Sequence, residues 1–220
     1  LEACAAAQQL RASVFLEIDC GQGRSGVDPA SPAARALAAR LAASPRLDFR
    51  GVLTHAGHSY VCRSRSELLE VARRERDLAV GFAAALRADG LRVEEVSIGS
   101  TPTLSAIDHL AGVTEVRPGN YAFYDAFQAA IGTCALADAA LTVLATVISC
   151  HPGQRRLCID AGALALSKDQ GARHVDPDAG YGLLADEDCR PLAGLRLEAL
   201  TQEHGHVTAA PGVDQIGRAH

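Results

Sequence analysis

Val14-Phe15-Leu16-Glu17-Ile18-Asp19, running into Cys20-Gly21-Gln22-Gly23, decides the fold. A short apolar run that stops in a polar, glycine-punctuated loop reads as a buried strand with an accessible carboxyl end. Ser31 and Pro32 then supply an N-cap and a first-turn proline, opening a helix to about residue 43. The alternation repeats. Residues 49–54 read as a strand. A helix follows over 66–89, with Leu68, Leu69, Ala72, Leu78, Phe82 and Leu86 near helical spacing and Gly90 as the stop. Residues 93–98 read as a third strand, 105–110 as a short helix and 114–116 as a fourth strand. Strand and helix in strict alternation predict a parallel sheet or barrel.

From about residue 140 the texture changes. Residues 141–148 are rich in β-branched side chains and 157–160 form a short strand. Leu195 and Leu197 alternate with Arg196 and Glu198, the pattern of a half-buried strand. The expected architecture is α/β: a partial (β/α) TIM-type barrel over 1–128, then a mostly antiparallel β domain over 129–214. Residues 215–220, Gln-Ile-Gly-Arg-Ala-His, match one frame of a common sequencing-adapter oligonucleotide and are expected to be a non-native tail.

Composition narrows the partners. The chain has 220 residues, 48% of them hydrophobic, and a formal charge of −5, which gives no reason to expect nucleic acid. No run of 18 apolar residues occurs, and residues 1–10 lack the basic start of a secretion signal. A soluble cytoplasmic protein with no membrane partner is expected. The seven cysteines are scattered without a C-x-x-C pair, so neither a disulfide framework nor a zinc ribbon is expected. Methionine is absent, and Lys168 is the single lysine beside twenty arginines. A fragment of a longer protein is the simpler expectation.

Four polar segments each follow a predicted strand, the position that forms the active face of an α/β barrel. They are Asp19-Cys20-Gly21-Gln22-Gly23-Arg24-Ser25-Gly26, Thr54-His55-Ala56-Gly57-His58-Ser59-Tyr60, Ser97-Ile98-Gly99-Ser100-Thr101-Pro102-Thr103 and Arg117-Pro118-Gly119-Asn120-Tyr121. In the last two, glycine allows close backbone approach while hydroxyls and N–H groups can donate to a phosphate. Blander roles stand beside these. Arg24 can cap the helix after Ser31, His55 can be a hydrogen-bonded structural residue, and His58 and Tyr60 can pack a loop. Gly119-Asn120 can be only a turn. His204 and His206 invite a metal reading, but strand alternation alone also puts them on one face.

In this order the segments resemble the fold-type III pyridoxal-phosphate barrel family that includes alanine racemase. Asp160-Ala161-Gly162 and Gln202-Glu203-His204-Gly205 are similar to its D-threonine aldolase and D-serine dehydratase branch. The resemblance covers roughly residues 10–207. It implies that Arg24 and His55 are catalytic, with Arg24 at the cofactor ring and Tyr60 lining the same face. It implies that Ser100, Thr101, Gly119 and Asn120 hold the phosphate and that Tyr121 or Phe123 walls the ring. It further implies a D-amino acid substrate, a homodimer and a divalent metal in the intact parent.

Two parts of the family pattern are missing. No predicted strand of the first half carries the Schiff-base lysine, and no His-x-Cys or His-x-Asp metal pair follows residue 205. Truncation at both ends is the expectation, with an intact parent that is a lyase for D-3-hydroxy amino acids, aldolase or dehydratase. The chain itself is then expected to be inactive. The alternatives are a non-catalytic pyridoxal-phosphate binder and a structural fragment.

Overall fold

The computed structural model describes residues 1–213. The chain divides into two compact units, Leu1–Tyr121 and a second from Ala122 onward. In the first, α1 (Glu2–Ala7) leads to β1 (Ala12–Glu17), α2 (Pro32–Ala43), β2 (Leu47–Leu53), α3 (Arg65–Ala88), β3 (Glu95–Ile98), α4 (Thr101–Ala106) and β4 (Glu115–Val116). The four strands are parallel and lie in sequence order, β1-β2-β3-β4. Each strand adds beside its predecessor after a helical crossover, so the sheet grows in one direction, as an α/β barrel wall does.

The core of this unit packs Leu16, Ile18, Phe49, Val52, Val96 and Ile98 from the strands against Ala34 and Ala38 of α2 and Ala79, Phe82, Ala83 and Leu86 of α3. Small residues let both helices approach the sheet, while Phe82 and Leu86 fill the space left. On β2, Gly51 pairs with Glu95 of β3. A Cβ there would lie 1.8 Å from the Glu95 carbonyl oxygen, so no larger residue fits without moving backbone.

The expected elements occur, with local differences. The long helix starts at Arg65, capped by the Ser64 hydroxyl. The short helix expected at 105–110 lies earlier, as α4. Ser100 caps it, Pro102 sits in its first turn and Thr103 completes a reciprocal capping box. That Ser-Thr-Pro-Thr string is a helix start as well as a polar strand end. In the β-branched stretch 141–148 a strand begins only at Val147.

The second unit holds α5 (Ala126–Ala130), β5 (Val147–His151), β6 (Arg156–Ile159), α6 (Ala163–Leu166), β7 (Leu195–Leu200) and β8 (Gly205–Ala209). Its sheet is antiparallel with order β5-β6-β8-β7, over a core of Leu157, Ile159, Ala161, Leu197, Val207 and Ala209. The Asp160-Ala161-Gly162 and Gln202-Glu203-His204-Gly205 strings interlock. The Ala163 N–H donates to Thr201 O at 2.9 Å, and a Cβ on Gly162 would sit 2.4 Å from the His204 nitrogen. The α/β architecture, with a parallel barrel wall followed by an antiparallel sheet, is as the sequence implied. None of the seven cysteines is disulfide-bonded. Among the described residues no helix is long and apolar enough to cross a membrane. The expected tail, 215–220, lies outside the described residues.

The contact at Gly51 gives a direct test. Gly51→Ala should destabilise the chain by about 3 kcal/mol, because overpacking here displaces backbone. Gly81→Ala in α3, where an added Cβ meets nothing, should stabilise it by about 0.5–1 kcal/mol. Urea midpoints of the two variants should therefore move in opposite directions.

Candidate functional site

The polar ends of β2 and β3 are organised by Glu75, a residue of α3 that is 1% exposed. Its Oε1 accepts from the Ala56 and Gly99 N–H groups, both at 3.1 Å, and its Oε2 accepts from the Thr103 hydroxyl at 2.9 Å. One carboxylate thus ties the end of β2, the end of β3 and the first turn of α4. Burial pushes its pKa up from the ordinary carboxylate range, against the Thr103, Gly99 and Ala56 hydrogen bonds and the nearby His55, which pull it down.

A buried chain of hydroxyls extends from it. The Thr103 and Ser100 hydroxyl oxygens are 3.0 Å apart, and those of Ser100 and Ser59 are also 3.0 Å apart. The backbone N–H groups of Ser100 and Thr103 donate reciprocally to Thr103 Oγ1 and Ser100 Oγ, at 3.1 and 3.3 Å. Beside this chain Thr101 is 2% exposed, and its hydroxyl oxygen accepts the Tyr121 N–H at 3.2 Å, which links the ends of β3 and β4. Arg117 reaches back across the sheet. Its Nε donates to Ser97 Oγ at 2.7 Å and its Nη2 to the Thr54 carbonyl, so a side chain of the β4 end is fastened to the β2 end.

At the end of β1, the Asp19 carboxylate accepts the N–H groups of Gly21 at 2.9 Å and Gly23 at 3.1 Å. These bonds lower its pKa. The His55 Nδ1 lies 3.1 Å from the Gly99 carbonyl oxygen, which can only accept, so the ring carries its proton there and Nε2 has no hydrogen bond among the described residues. Burial lowers the pKa of His58, assisted by Arg74 and His55 and opposed by Asp19. Cys20 is buried, and its thiol pKa is raised by burial, with Glu75 contributing in the same direction.

The predicted residues fall into groups. Thr101 and Tyr121 are joined by the bond above, with Ser100 the chain neighbour of Thr101 and Gly119 and the half-buried Asn120 in the segment that joins β4 to Tyr121. His55 is tied to the same turn through Gly99, and Tyr60 is half-buried in the 3-10 turn Gly57–Val61. Arg24 is exposed and makes no hydrogen bond or ion pair among the described residues, while the Ser31 hydroxyl caps α2. Tyr121 is 57% exposed; Phe123 belongs to the second unit. Glu75 lies outside the polar segments quoted above, whereas Ser59, Thr103 and Arg117 lie within them without an individual role. For Glu75 a signal existed, since it lies on the α3 seam with Leu68, Ala72, Ala79, Phe82 and Leu86. A carboxylate inside an apolar seam must be paired.

A phosphate group fits the ends of β3 and β4. The Thr101 and Gly119 N–H groups have no partner among the described residues, and the Thr101 hydroxyl accepts from Tyr121 with its own proton uncommitted. A Cβ placed on Gly119 would meet nothing within 4 Å, so the space there is open. A covalent amine anchor does not fit this unit: Lys168 is exposed in the second unit, after α6. No group of three or more His, Cys, Asp or Glu side chains is arranged to hold a metal among the described residues, and His204 and His206 belong to none.

These features are those of an alanine racemase-like α/β barrel segment joined to a β domain. Residues 1–126 match the family described as "Alanine racemase, N-terminal domain", and the chain belongs to that family. Residues 140–218 match the "Putative serine dehydratase domain". The chain is similar to D-threo-3-hydroxyaspartate dehydratase of Delftia sp. strain HT23, with 42% identity over 90% of this chain and 52% of that protein. The solved structure of that enzyme superposes with a TM-score of 0.91 at 40% identity, over 99% of this chain and 58% of that one. D-serine dehydratase of Dictyostelium discoideum is 39% identical over 76% of this chain and 44% of that protein. D-threonine aldolase of an Arthrobacter species is 34% identical over 90% and 49%. The chain spans about half the length of these relatives.

Glu75 leads to a pH prediction. Its folded pKa is raised, so between the ordinary carboxylate value and the raised one the native state holds more protons than the unfolded chain. Stability contributed by the neutral form is present below that window and lost as pH rises through it. Glu75→Gln cannot ionise and should show a flatter stability curve there. Urea midpoints measured across the window check this, and identical slopes would show that Glu75 does not titrate in it.

Proposed function

We propose that this chain is part of a pyridoxal-phosphate-dependent lyase for D-3-hydroxy amino acids. The observation that carries the reading is the juxtaposition of unpaired donors on Thr101 and Gly119 at neighbouring strand ends, within a scaffold whose relatives are lyases. The substrates in the three relatives' names share a D configuration and a hydroxyl on Cβ, and that class is the one proposed here.

Each residue has a task in this reading. Thr101, through its N–H and hydroxyl, and Gly119, through its N–H, hold the phosphate, with Asn120 beside them. Tyr121 and Tyr60 border the ring, and Arg24 is assigned as its cationic partner. His55, with its Nδ1 proton fixed on Gly99 O, offers Nε2 as the atom that takes or returns a proton. Bound pyridoxal phosphate supplies an electron sink for the bond broken at Cα. A divalent metal belongs to the reading of the intact parent only.

Unit 1 contains no lysine, so the chain as given should bind the cofactor without covalent capture. The single lysine, Lys168, is exposed and belongs to the second unit. Mixed with pyridoxal phosphate, the chain should quench cofactor fluorescence reversibly, and inorganic phosphate should compete. Thr101→Val should weaken that binding several-fold, and borohydride should label no residue stoichiometrically. Specific labelling of Lys168, abolished by Lys168→Ala, would refute the assignment. In a longer form that carries a lysine strand, keto acid and ammonia released from D-serine would mark a dehydratase, and glycine with an aldehyde from D-threonine an aldolase. Neither product would refute the proposed activity.

A further inference from the structure

The hydroxyl groups around Ser100 have a single consistent proton order when Glu75 is ionised. Thr103 has one proton. It lies 2.9 Å from a carboxylate oxygen and 3.2 Å from the Ser100 carbonyl, which already accepts the Leu104 N–H, so the charged acceptor wins. Thr103 Oγ1 then accepts the Ser100 N–H and the Ser100 hydroxyl. Ser100 Oγ in turn accepts the Thr103 N–H and the Ser59 hydroxyl. Thr103 and Ser100 each donate once and accept twice, which fills their capacity. The Ser100 hydroxyl therefore has no proton left for an external anion, whereas its neighbour Thr101 does.

Glu75 also holds both ends of the turn that carries Thr101. Oε1 takes the N–H of Gly99, two residues before it, and Oε2 takes the hydroxyl of Thr103, two residues after it. Gly119, at the end of β4, has no bond to Glu75 or to this hydroxyl chain. The carboxylate fixes one side of the anion cradle and leaves the other alone.

We propose that Glu75 is a positioning residue for the phosphate cradle: it aims Thr101 at the anion by bracketing the 99–103 turn and by locking the Ser59–Ser100–Thr103 proton order. This rests on the cofactor reading above and goes beyond it, since Glu75 touches neither cofactor nor substrate. Glu75→Gln preserves shape and reverses the order. The amide oxygen must face the Ala56 and Gly99 N–H groups, so the NH2 group points at Thr103 Oγ1, and the Thr103 proton turns toward Ser100.

The test compares pyridoxal phosphate with pyridoxal, so that the ratio of affinities reads the phosphate cradle alone. It is run on the full chain at a pH above the window in which the raised Glu75 carboxyl titrates. Wild type should prefer the phosphorylated form, and inorganic phosphate should shift the Thr101 and Gly119 amide resonances. In Glu75→Gln the preference should fall about tenfold, with the Thr101 response lost and the Gly119 response kept. Thr103→Val should act likewise and Thr103→Ser should restore the wild-type ratio. An unchanged or tighter ratio in Glu75→Gln and Thr103→Val would overturn the inference, the tighter result meaning that the carboxylate only repels the anion. If both variants fail to fold while Thr103→Ser folds, Glu75 anchors the whole unit and the inference also falls. A wild type with no preference and no amide response would instead overturn the cofactor reading itself.

Discussion

A carboxylate at the centre of a protein is stable only if its lone pairs are answered, and Glu75 is placed where three donors meet. Removing such an ion from water costs several kcal/mol. Three hydrogen bonds to a charged acceptor, at about 1.5–3 kcal/mol each, offset part of that cost, and the raised pKa reflects what is left. The balance holds only while Ala56, Gly99 and Thr103 keep their positions. The segments after β2 and β3 are therefore not independent loops: the donors that stabilise the ion also define the polar end of the sheet.

That constraint divides labour among residues that look alike in the sequence. Ser100 and Thr101 are adjacent, both hydroxylated and both buried. Ser100 closes an internal network, while Thr101, bonded only through its oxygen to the next strand end, keeps a proton and an N–H for something else. Arg117 is similarly absorbed, bridging strand ends rather than facing outward. The chemistry is left to a few groups held by many that do none.

The strand–helix alternation of the first unit was legible because each apolar run was bounded by glycine, proline or a capping hydroxyl. The four polar segments were legible because they share a position relative to the strands. What escaped were contacts made across long separations. Glu75 meets Ala56 and Gly99 from a helix turn whose local sequence, Arg73-Arg74-Glu75-Arg76, looks like solvated charge. The displaced short helix is a different failure: Ser100-Thr101-Pro102-Thr103 satisfies both a polar strand end and a helix cap, and the structure uses it as both. In the second unit, residues 141–146 have strand composition but no ladder partner, and composition alone does not supply one.

Strand β4 has two residues and, among the described residues, pairs only with β3. Two residues of ladder are too few to hold a strand, and such an edge would ordinarily open and close on its own. The Arg117 guanidinium changes this, because its bond to the Thr54 carbonyl skips β3 and lands on β2. Opening β4 then means breaking a bond to the sheet interior, and the Val96 and Ile98 carbonyls that face Thr114 and Arg117 are uncovered only when that tie is lost. Hydrogen exchange at the Thr114 and Arg117 amides should accordingly report the cooperative opening of three strands rather than the fraying of one.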